Sequence, residues 1–475
     1  MLSYLKLFCK AFKKPLLYNF IHHCTFLIIF KYDEDYNNIA VIKMTQTKIT
    51  LHPDQLPKKW YNILPDLPTP MPPPKDPTDG PSRLQNLPNI FSKGVLAQEG
   101  ATDRYIPIPP AVQELYIQSG RPRPLYRARR LEQLLNTPAK LYYKSEFYSP
   151  TGSHKVNTAI PQVYYAKQQG IKRMTTETGA GQWGTALAYA CSLLKMDLTV
   201  YWVRAVADWK PDRRQFMQLY GATVHNSPSN QTTIGKQLLE QDPHHHGSLG
   251  IAIAEAVQDA TNDPTAVYSL GSVLNHVLLH QTIIGLETKK QLEQVGAYPD
   301  TVISCLGGGS NFGGLAIPFL RDKIKKQTQT KFIATQSEVA PNLTGTYRYD
   351  YGDYAEQTPL LKMCTLGHRT SFKPIKADGL RYHAAAPIIS ALRNHGLIDT
   401  IIYPSNETYV FNKAKLFIQT EGFLPAAEST YSIAAAIDEA KRCKKTGEQK
   451  TILFNVSGHG FMDMQGYAEK LHIGS

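Results

Sequence analysis

Two periods of hydrophobic residues alternate along most of the chain, one typical of helices and the other of strands. Helical spacing predicts helices over residues 111–117, 127–135, 157–169, 183–194, 234–240 and 273–292. Short aliphatic or β-branched runs predict strands over residues 140–144, 198–203, 302–306, 332–335 and 452–456. Strands and helices in alternation indicate an α/β fold with a largely parallel sheet.

The segment from residue 53 to residue 88 is unusual because it holds eleven prolines. Proline lacks a backbone donor and fixes φ, so neither a regular helix nor a central strand is expected there. We therefore predict an extended arm, with regular structure beginning near Ile106. Large apolar side chains predict that this arm lies along a folded surface instead of floating as a linker. They are Trp60, Tyr61, Ile63, Leu64 and Leu67.

The first 43 residues differ in composition from the rest of the chain. They hold six lysines, and no acidic residue precedes Asp33. The apolar run over residues 26–30 is far shorter than the ~20 residues that span a bilayer, so no membrane partner is predicted. Two interpretations stay open: a dispensable extension with Met44 as the functional start, or an organelle-targeting segment.

Composition excludes several classes of protein. Hydrophobic residues make up 42% and charged residues 19% of the 475 positions, which argues against a disordered, collagen-like or coiled-coil chain. The net charge of +13 permits nucleic-acid binding, but no basic patch interleaved with aromatic residues accompanies it, so no nucleic-acid partner is predicted. Six scattered cysteines lack disulfide-framework and zinc-site spacing, which favours a reducing compartment and no metal site.

The first segment with candidate chemistry is a turn containing proline and glycine, at residues 149–158, that leads into a predicted helix. Free backbone N–H groups and the positive end of the helix dipole attract anions at such a place. Lys155 lies in this positive field, so we expect it to lose its proton readily and to serve as an amine nucleophile. The alternative is an ordinary surface lysine.

Three further segments place small or polar residues where strands end or helices begin. Glycines near residues 179–184 allow the N–H groups of residues 178–182 to wrap a carboxylate, with Glu177 as a candidate acid or base. The alternative for that segment is a glycine-rich turn into a helix with a solvated glutamate. A buried strand runs into Gly-Gly-Gly-Ser-Asn at residues 307–311, which predicts a phosphate cradle, with a structural tight turn as the alternative. After the last strand, Ser457 presents a hydroxyl where open α/β sheets bind ligands.

Together these segments resemble the fold-type II pyridoxal-phosphate enzymes, and the match extends to the second, longer branch of the tryptophan synthase β family. The resemblance runs from about Thr47 to the end of the chain, roughly nine-tenths of its length. The distinctive stretches are residues 60–63, 65–68, 124–132, 149–157, 177–184, 247–253, 271–281, 307–311 and 455–459. The resemblance implies two open, twisted, mostly parallel sheets flanked by helices.

Residue by residue, the resemblance implies a Schiff base between Lys155 and the aldehyde of pyridoxal 5'-phosphate, with Glu177 as the acid/base. The implied cofactor-binding residues are His154, Lys155, Asn157, Gly307, Gly308, Gly309, Ser310, Asn311, Glu428 and Ser457. The implied substrate-binding residues are Thr178, Gly179, Ala180, Gly181, Gln182 and Arg381. A monovalent-cation requirement stays open.

The implied domain organisation follows the same resemblance. Residues 1–43 form an N-terminal extension, and residues 44–105 form the proline-rich arm. Residues 155–270 form the catalytic domain with the Schiff-base lysine, and residues 106–154 and 271–475 form the cofactor-binding domain. The expected assembly is a cytoplasmic homodimer, with a tryptophan synthase α chain as a further candidate partner.

Some positions depart from the pattern of the family. Gln336 replaces a glutamate, and Lys376 and Asp378 replace the first and third residues of the usual His-Ala-Gly-Gly, which leaves their effect on activity open. Arg381 stands where the main branch has an aspartate thought to meet the substrate hydroxyl. A cation there favours an anionic leaving group, so O-phospho-L-serine is a candidate donor beside L-serine.

Three functions remain to be separated. The first is β-replacement of serine by indole to give tryptophan. The second is a serine/threonine deaminase, in which water takes the place of indole and pyruvate or its homologue results. The third is a protein that binds the cofactor without turnover, against which the intact Lys155 and Glu177 argue.

Overall fold

The computed structural model describes residues 46–207 and 209–474, and the chain from Lys48 onward forms one structural unit. The predictions for residues 1–43 and for Met44 as a start lie outside the described residues. The strands, in chain order, are β1 (Lys48–Ile49), β2 (Lys59–Tyr61), β3 (Tyr105–Pro107), β4 (Leu125–Arg127), β5 (Lys140–Ser145), β6 (Arg173–Thr178), β7 (Asp197–Val203), β8 (Thr223–Ser227), β9 (Ala266–Ser269), β10 (Thr301–Cys305), β11 (Lys331–Ser337), β12 (Thr346–Asp350), β13 (Leu361–Thr365), β14 (Asp399–Tyr403) and β15 (Thr451–Val456).

Helices alternate with these strands over most of the described chain. They are α1 (Arg83–Ile90), α2 (Lys93–Glu99), α3 (Pro110–Gln118), α4 (Arg129–Leu135), α5 (Val156–Gln168), α6 (Gln182–Leu194), α7 (Arg204–Ala207), α8 (Pro211–Leu219), α9 (Thr233–Gln241), α10 (Leu249–Asn262), α11 (Asn275–Gln281), α12 (Ile283–Gln294), α13 (Ser310–Ile324), α14 (Pro387–Asn394), α15 (Thr408–Glu421), α16 (Ser429–Thr446) and α17 (Met464–Leu471). Short 3₁₀ turns occupy Pro53–Gln55, Leu64–Asp66, Glu146–Tyr148, Asn342–Thr344, Asp378–Leu380 and Phe461–Asp463.

Two open sheets organise these elements. The larger has seven strands in the order β1-β4-β5-β15-β10-β11-β14, and the smaller has four in the order β8-β7-β6-β9. All pairs in the smaller sheet are parallel, as are the pairs from β5 to β14 in the larger one. The predicted fold class, with two mostly parallel sheets flanked by helices, is therefore confirmed. The division into two domains stays a prediction.

Helices cover both faces of each sheet, so the side chains of the central strands are buried on both sides. Every residue of β10 is buried, and β15 is buried after its first residue. Parallel strands covered on both faces read as continuous hydrophobic runs, which is the pattern that predicted them. Of the helices in the described part of the chain, none is long and apolar enough to cross a membrane.

The prediction that the proline-rich arm has no regular structure is wrong. Regular structure begins with β1, well before Ile106, and α1 contains Pro88 although a helix was excluded there. The helix forms because its start is well capped: Asp76 Oδ1 accepts hydrogen bonds from the N–H groups of Arg83 and Leu84 at 2.7 and 2.8 Å. In a helix of eight residues, Pro88 removes few internal hydrogen bonds.

The arm lies against the folded core as predicted. Trp60, Tyr61 and Ile63 are each no more than 1% exposed. The Trp60 ring lies 4.7 Å from the ring of His280 in α11. The arm is therefore part of the hydrophobic core.

Candidate active site

A cleft lies at the carboxyl ends of β6, β10 and β15. Its volume is about 880 Å³, including the part that is open to solvent. It brings together nearly all of the site residues predicted from the sequence. Those that line it are His154, Lys155, Glu177, Thr178, Gly179, Ala180, Gln182, Gly307, Gly308, Gly309, Ser310, Asn311, Arg381, Glu428 and Ser457.

Lys155 stands at the N-terminal boundary of α5, where its own N–H lies 3.3 Å from Ser153 Oγ. Burial lowers the pKa of its ammonium, and the partly opposing charges of Glu428 and Glu177 do not reverse this. Within the described residues, no carboxylate forms an ion pair with Lys155. The side chain is therefore shifted toward the neutral amine that can act as a nucleophile or base.

Glu177 lies in β6 with 6% of its surface exposed. Burial raises the pKa of its carboxyl to about 8, against the opposing effect of a hydrogen bond from Tyr268. The Tyr268 hydroxyl donates to Glu177 Oε2 at 2.5 Å. The carboxyl is therefore shifted toward its protonated form, a state that suits a proton donor.

The glycine loop between β10 and α13 is a cradle in which a side chain has no room. A Cβ on Gly307 would lie 2.2 Å from Gly379 O, and one on Gly308 would lie 2.5 Å from Ser272 Oγ. Gly309 has φ of 127°, which is unfavourable for other residues. The loop therefore leaves its backbone N–H groups, at the start of a 15-residue helix, open to an anion.

His154 lies beside this cradle and is shifted toward its neutral form. Burial holds the pKa of its imidazole well below the ordinary value. Nδ1 lies 3.3 Å from Ser457 O and Nε2 lies 3.1 Å from Ser310 Oγ. Because a carbonyl only accepts, Nδ1 carries the proton and Nε2 accepts from the Ser310 hydroxyl.

Ser457 follows β15 and is held by a second serine. Its N–H donates to Ser429 Oγ at 2.9 Å, and the two hydroxyl oxygens are 2.8 Å apart. Ser429 begins α16. The arrangement presents one hydroxyl to the cleft from a fixed backbone, which suits a hydrogen bond to a ring nitrogen.

Glu428 joins two loops at the cleft. Its Oε2 accepts from Gln182 Nε2 at 2.9 Å, and its Oε1 accepts from the N–H of Gly379 at 2.9 Å. Gln182 is the first residue of α6 and the last of the loop predicted to bind a carboxylate. Gly379 belongs to the 3₁₀ turn Asp378–Leu380, which carries Arg381 at its end.

Known proteins resemble this chain along nearly its whole length. The family model described as "Pyridoxal-phosphate dependent enzyme" matches residues 117–458. Tryptophan synthase beta chain 2 of Methanothermobacter thermautotrophicus is 53% identical over 425 residues, which cover 89% of this chain and 98% of that one. Its counterpart from Methanosarcina acetivorans is 51% identical and covers 91% and 97% of the two chains. This chain belongs to the tryptophan synthase β family.

Two solved structures show how widely the fold of this tryptophan synthase β family member is shared. A fungal L-serine ammonia-lyase from Rhizomucor miehei gives a TM-score of 0.55 at 14% identity, covering 74% of this chain and 98% of that one. The processed form of threonine deaminase isoform 2 from Solanum lycopersicum gives 0.55 at 18% identity, covering 86% and 100%. At these identities the likeness concerns the fold alone.

Pyridoxal 5'-phosphate is the cofactor of this family, and the cleft fits it. The glycine cradle, which a Cβ would fill, would hold the phosphate through the backbone N–H groups of the loop. The Asn311 amide, predicted to join it, is bonded to Ser304, Cys305 and Asn455 instead. Lys155, shifted toward its neutral form, would meet the aldehyde, and Ser457 would meet the ring nitrogen. Among the described residues, no cluster of histidine, cysteine or acidic side chains could hold a metal ion.

Two predicted residues of this tryptophan synthase β chain lie outside the lining of the cleft. The Asn157 amide donates to Glu146 Oε2 at 3.1 Å and to Gln281 Oε1 at 2.9 Å, within a buried ionic network. Gly181 has φ of 85° and turns the chain into α6. Its backbone position supports the carboxylate loop, whereas the Asn157 side chain has its polar atoms engaged elsewhere.

Sequence reasoning missed two groups of functional residues in this tryptophan synthase β chain. Tyr268 reaches Glu177 across 91 positions of sequence, and no local motif marks it. Lys210 Nζ lies 3.5 Å from Asp378 Oδ2 and 3.1 Å from Asp463 Oδ1. Only Asp378 carried a signal, since it departs from the glycine usual in the family.

Proposed function

We propose that this chain replaces the β-hydroxyl of L-serine with indole and releases L-tryptophan and water, the last step of tryptophan biosynthesis. The observation that carries the proposal is that one cleft holds both Glu177, which accepts a hydrogen bond from Tyr268, and Lys155, with which no carboxylate of the described residues forms an ion pair. Burial raises the pKa of Glu177 to about 8 and lowers that of Lys155. Relatives named tryptophan synthase beta chain share about half of the residues over almost the whole of their length, which supports the same reaction here.

Lys155 is proposed to bind the cofactor aldehyde and later to remove the α-proton of serine. When bound, pyridoxal phosphate supplies an electron sink that makes that proton removable. Because burial lowers its pKa, a larger fraction of Lys155 is in the neutral form that accepts a proton than for a solvated lysine at the same pH. The loop around Thr178 and Gly179 is proposed to hold the serine carboxylate by its N–H groups, which fixes the α-carbon beside the amine.

Glu177 is proposed to act twice. First Oε1 gives its proton to the β-hydroxyl of serine, so that the Cβ–O bond breaks and water leaves. The resulting carboxylate then accepts the proton that indole loses when its C3 bonds to Cβ. After the C3–Cβ bond has formed, Lys155 is proposed to return its proton to the α-carbon. The atoms then balance as L-serine plus indole giving L-tryptophan plus water, and Lys155 and Glu177 both end as they began.

Ser457 is proposed to favour this β-replacement over transamination. A serine hydroxyl does not protonate a pyridine nitrogen as a carboxylic acid would, so the ring withdraws electrons less strongly. The hydrogen bond from the Ser457 N–H to Ser429 Oγ, and the one between the two hydroxyls, keep Ser457 in place. L-serine and O-phospho-L-serine are both candidate donors, because Arg381 lines the cleft.

We further propose that the chain works as a cytoplasmic homodimer and accepts indole from a tryptophan synthase α chain. The described cysteines Cys191, Cys305, Cys364 and Cys443 are all free and buried, which suits a reducing compartment. Light scattering of the purified protein tests the dimer, and a change in turnover on adding an α chain tests the second partner. A monomer, or turnover unaffected by every α chain, overturns the respective part.

The central experiment is a visible spectrum followed by product analysis. Cofactor-loaded protein should absorb as an imine of the coenzyme, and the Lys155→Ala variant should lose that band. Serine and indole together should then give tryptophan as the main product. Protein that stays colourless with excess coenzyme, or that forms pyruvate in place of tryptophan with indole present, overturns the proposal.

A further inference from the structure

Two buried amide side chains, those of Gln336 and Asn342, lie behind the cleft and join parts of its wall. Both residues are fully buried. Asn342 Nδ2 donates to Gly307 O at 2.9 Å and to Tyr382 O at 3.1 Å. Gly307 begins the glycine loop, Tyr382 follows the turn Asp378–Leu380, and both residues line the cleft. One NH₂ group therefore holds together two segments that are distant in sequence.

Gln336 fixes the orientation of the Asn342 amide. Gln336 Nε2 donates to Asn342 Oδ1 at 2.7 Å, and Gln336 Oε1 accepts from the Leu343 N–H at 3.2 Å. The oxygen and the NH₂ group of an amide point in different directions, so a donor at Oδ1 leaves Nδ2 directed at the two carbonyls. The carboxylate of the glutamate usual at position 336 has no N–H to donate. The two amides therefore act as a pair.

The amide pair is uncharged, which bears on cation binding. Buried backbone carbonyls that converge on one point are good ligands for a monovalent cation. Here that point is occupied by Asn342 Nδ2. A cation would have to displace this NH₂ group and would gain no counter-charge from Gln336, and burying an unpaired charge is costly. The site therefore favours the neutral amide over a cation.

We propose that the Gln336–Asn342 amide pair positions the glycine loop for the cofactor phosphate and makes the cofactor site independent of monovalent cations. The inference rests on the part of the proposed function that assigns this loop to the phosphate. Neither amide is among the described residues that line the cleft. Both are therefore positioning residues, which act through the backbone of Gly307 and Tyr382.

The test measures the dissociation constant of pyridoxal phosphate by absorbance titration in two salts of equal ionic strength, potassium chloride and tetramethylammonium chloride. The wild-type protein should give the same value in both, within about twofold. Asn342→Asp keeps the shape of the side chain but replaces the two donors by a carboxylate oxygen that faces the carbonyls. It should weaken binding about tenfold in tetramethylammonium. Potassium should restore most of the loss, because carboxylate and carbonyl oxygens together can ligate it.

Gln336→Glu is a second variant, which removes the donor to Asn342 and should also weaken cofactor binding in tetramethylammonium. The matched control is Asn412→Asp, at an exposed amide that donates to Thr408 O at 2.9 Å. It should bind the cofactor as the wild type does in both salts. The wild-type comparison of the two salts needs no variant, so it decides the cation question even if the substituted proteins do not fold.

Three results would overturn the inference. They are a wild-type affinity that rises in potassium, a folded Asn342→Asp variant with wild-type affinity in tetramethylammonium, and a loss in that variant that potassium does not reduce. The last result would indicate a purely structural role for Asn342. A wild-type protein that binds the cofactor equally in both salts but forms no tryptophan from serine and indole overturns the proposed reaction and leaves the role of the amide pair standing.

Discussion

Burial moves two side chains of the cleft toward the protonation states that they rarely have in water. It raises the pKa of Glu177 to about 8 and lowers the pKa of Lys155. Each group is thereby shifted toward its neutral form, one as an acid and the other as a base. Two opposite tasks therefore follow from one physical cause, the removal of solvent from a charged group.

Replacing Glu177 by glutamine should abolish proton donation while keeping the shape of the side chain. We expect tryptophan formation to fall by about 10²–10⁴, the usual contribution of a general acid. The visible absorbance of the bound cofactor should persist, since Glu177 is not one of the residues proposed to hold it. The matched control, Glu448→Gln at an exposed glutamate paired with Arg442, should keep full activity. Activity near wild type in the Glu177 variant would contradict the assigned role.

Tyr268 should set the upper pH limit of the reaction. The acid form of Glu177 is required, so kcat/KM should fall as the pH rises through about 8. The hydrogen bond from Tyr268 stabilises the carboxylate and lowers this pKa, so Tyr268→Phe should move the fall to higher pH. Tyr105→Phe, at a tyrosine that is 43% exposed, is the control. A pH profile of kcat/KM that stays in place or moves to lower pH contradicts the prediction.

At the scale of single elements, the glycine loop before α13 is the most constrained part of the cleft. The three glycines bring backbone N–H groups close to the space where the phosphate is proposed to bind. The turn Asp378–Leu380 packs directly on this loop, since Gly379 O is the atom nearest to a Cβ placed on Gly307. Cofactor affinity and the position of Arg381 therefore depend on the same backbone contact.

A methyl group at Gly307 should weaken cofactor binding. Its Cβ would lie 2.2 Å from a backbone oxygen, so either the loop or the facing turn must move. We expect Gly307→Ala to raise the dissociation constant of pyridoxal phosphate by about tenfold or more, measured by absorbance titration. Gly100→Ala, at a glycine with no atom within 4 Å of the added Cβ, is the control and should bind as the wild type does.

Local sequence patterns predict the bounds of a helix well where its hydrophobic period and the glycine or proline next to it indicate the same ends. Helices α5 and α6 begin and end within one residue of the predicted bounds. The predicted helix over residues 273–292 is instead two helices, α11 and α12, which meet at Thr282. The Thr282 hydroxyl accepts a hydrogen bond at 3.1 Å from the N–H of Tyr61, a tertiary contact that the local period does not contain. Strand order and the Tyr268–Glu177 contact depend on such distant residues in the same way.

At the scale of the whole molecule, a buried ionic network ties the sheet to the helices behind it. Glu287 of α12 lies 2.7 Å from Lys144 and 2.8 Å from Arg121, and both partners are fully buried. Glu146 pairs with Arg121 at 2.7 Å and also with Arg123. The network joins β5, α12 and the loop before β4, so its charges depend on one another for compensation.

Glu287→Gln should destabilise the fold strongly, because three buried cations would then face one carboxylate. We expect the free energy of unfolding to fall by about 3–5 kcal/mol, measured by urea denaturation at pH 7. The cations lower the pKa of Glu287, so its contribution is present above about pH 4.5 and is lost as pH falls through the lower folded value. The difference between variant and wild type should therefore shrink in acid.

The control for this variant is Glu439→Gln at a partly exposed ion pair with Arg442. Surface pairs contribute little, so we expect a change of no more than about 1 kcal/mol. Equal losses in the two variants, or a Glu287 effect that is unchanged in acid, would count against a role for charge compensation in the buried network.

The two edge strands of the large sheet affect the tendency of the protein to aggregate at high concentration. One is β1, only two residues long, and the other is β14, which begins with the exposed Asp399. A strand of a neighbouring molecule could form few backbone hydrogen bonds with β1, because β1 has two residues. At β14 it would meet the charge of Asp399 at the start of the strand. Edge strands that are short or charged discourage edge-to-edge aggregation of sheets. Concentrated solutions of the protein should therefore resist amyloid-like aggregation.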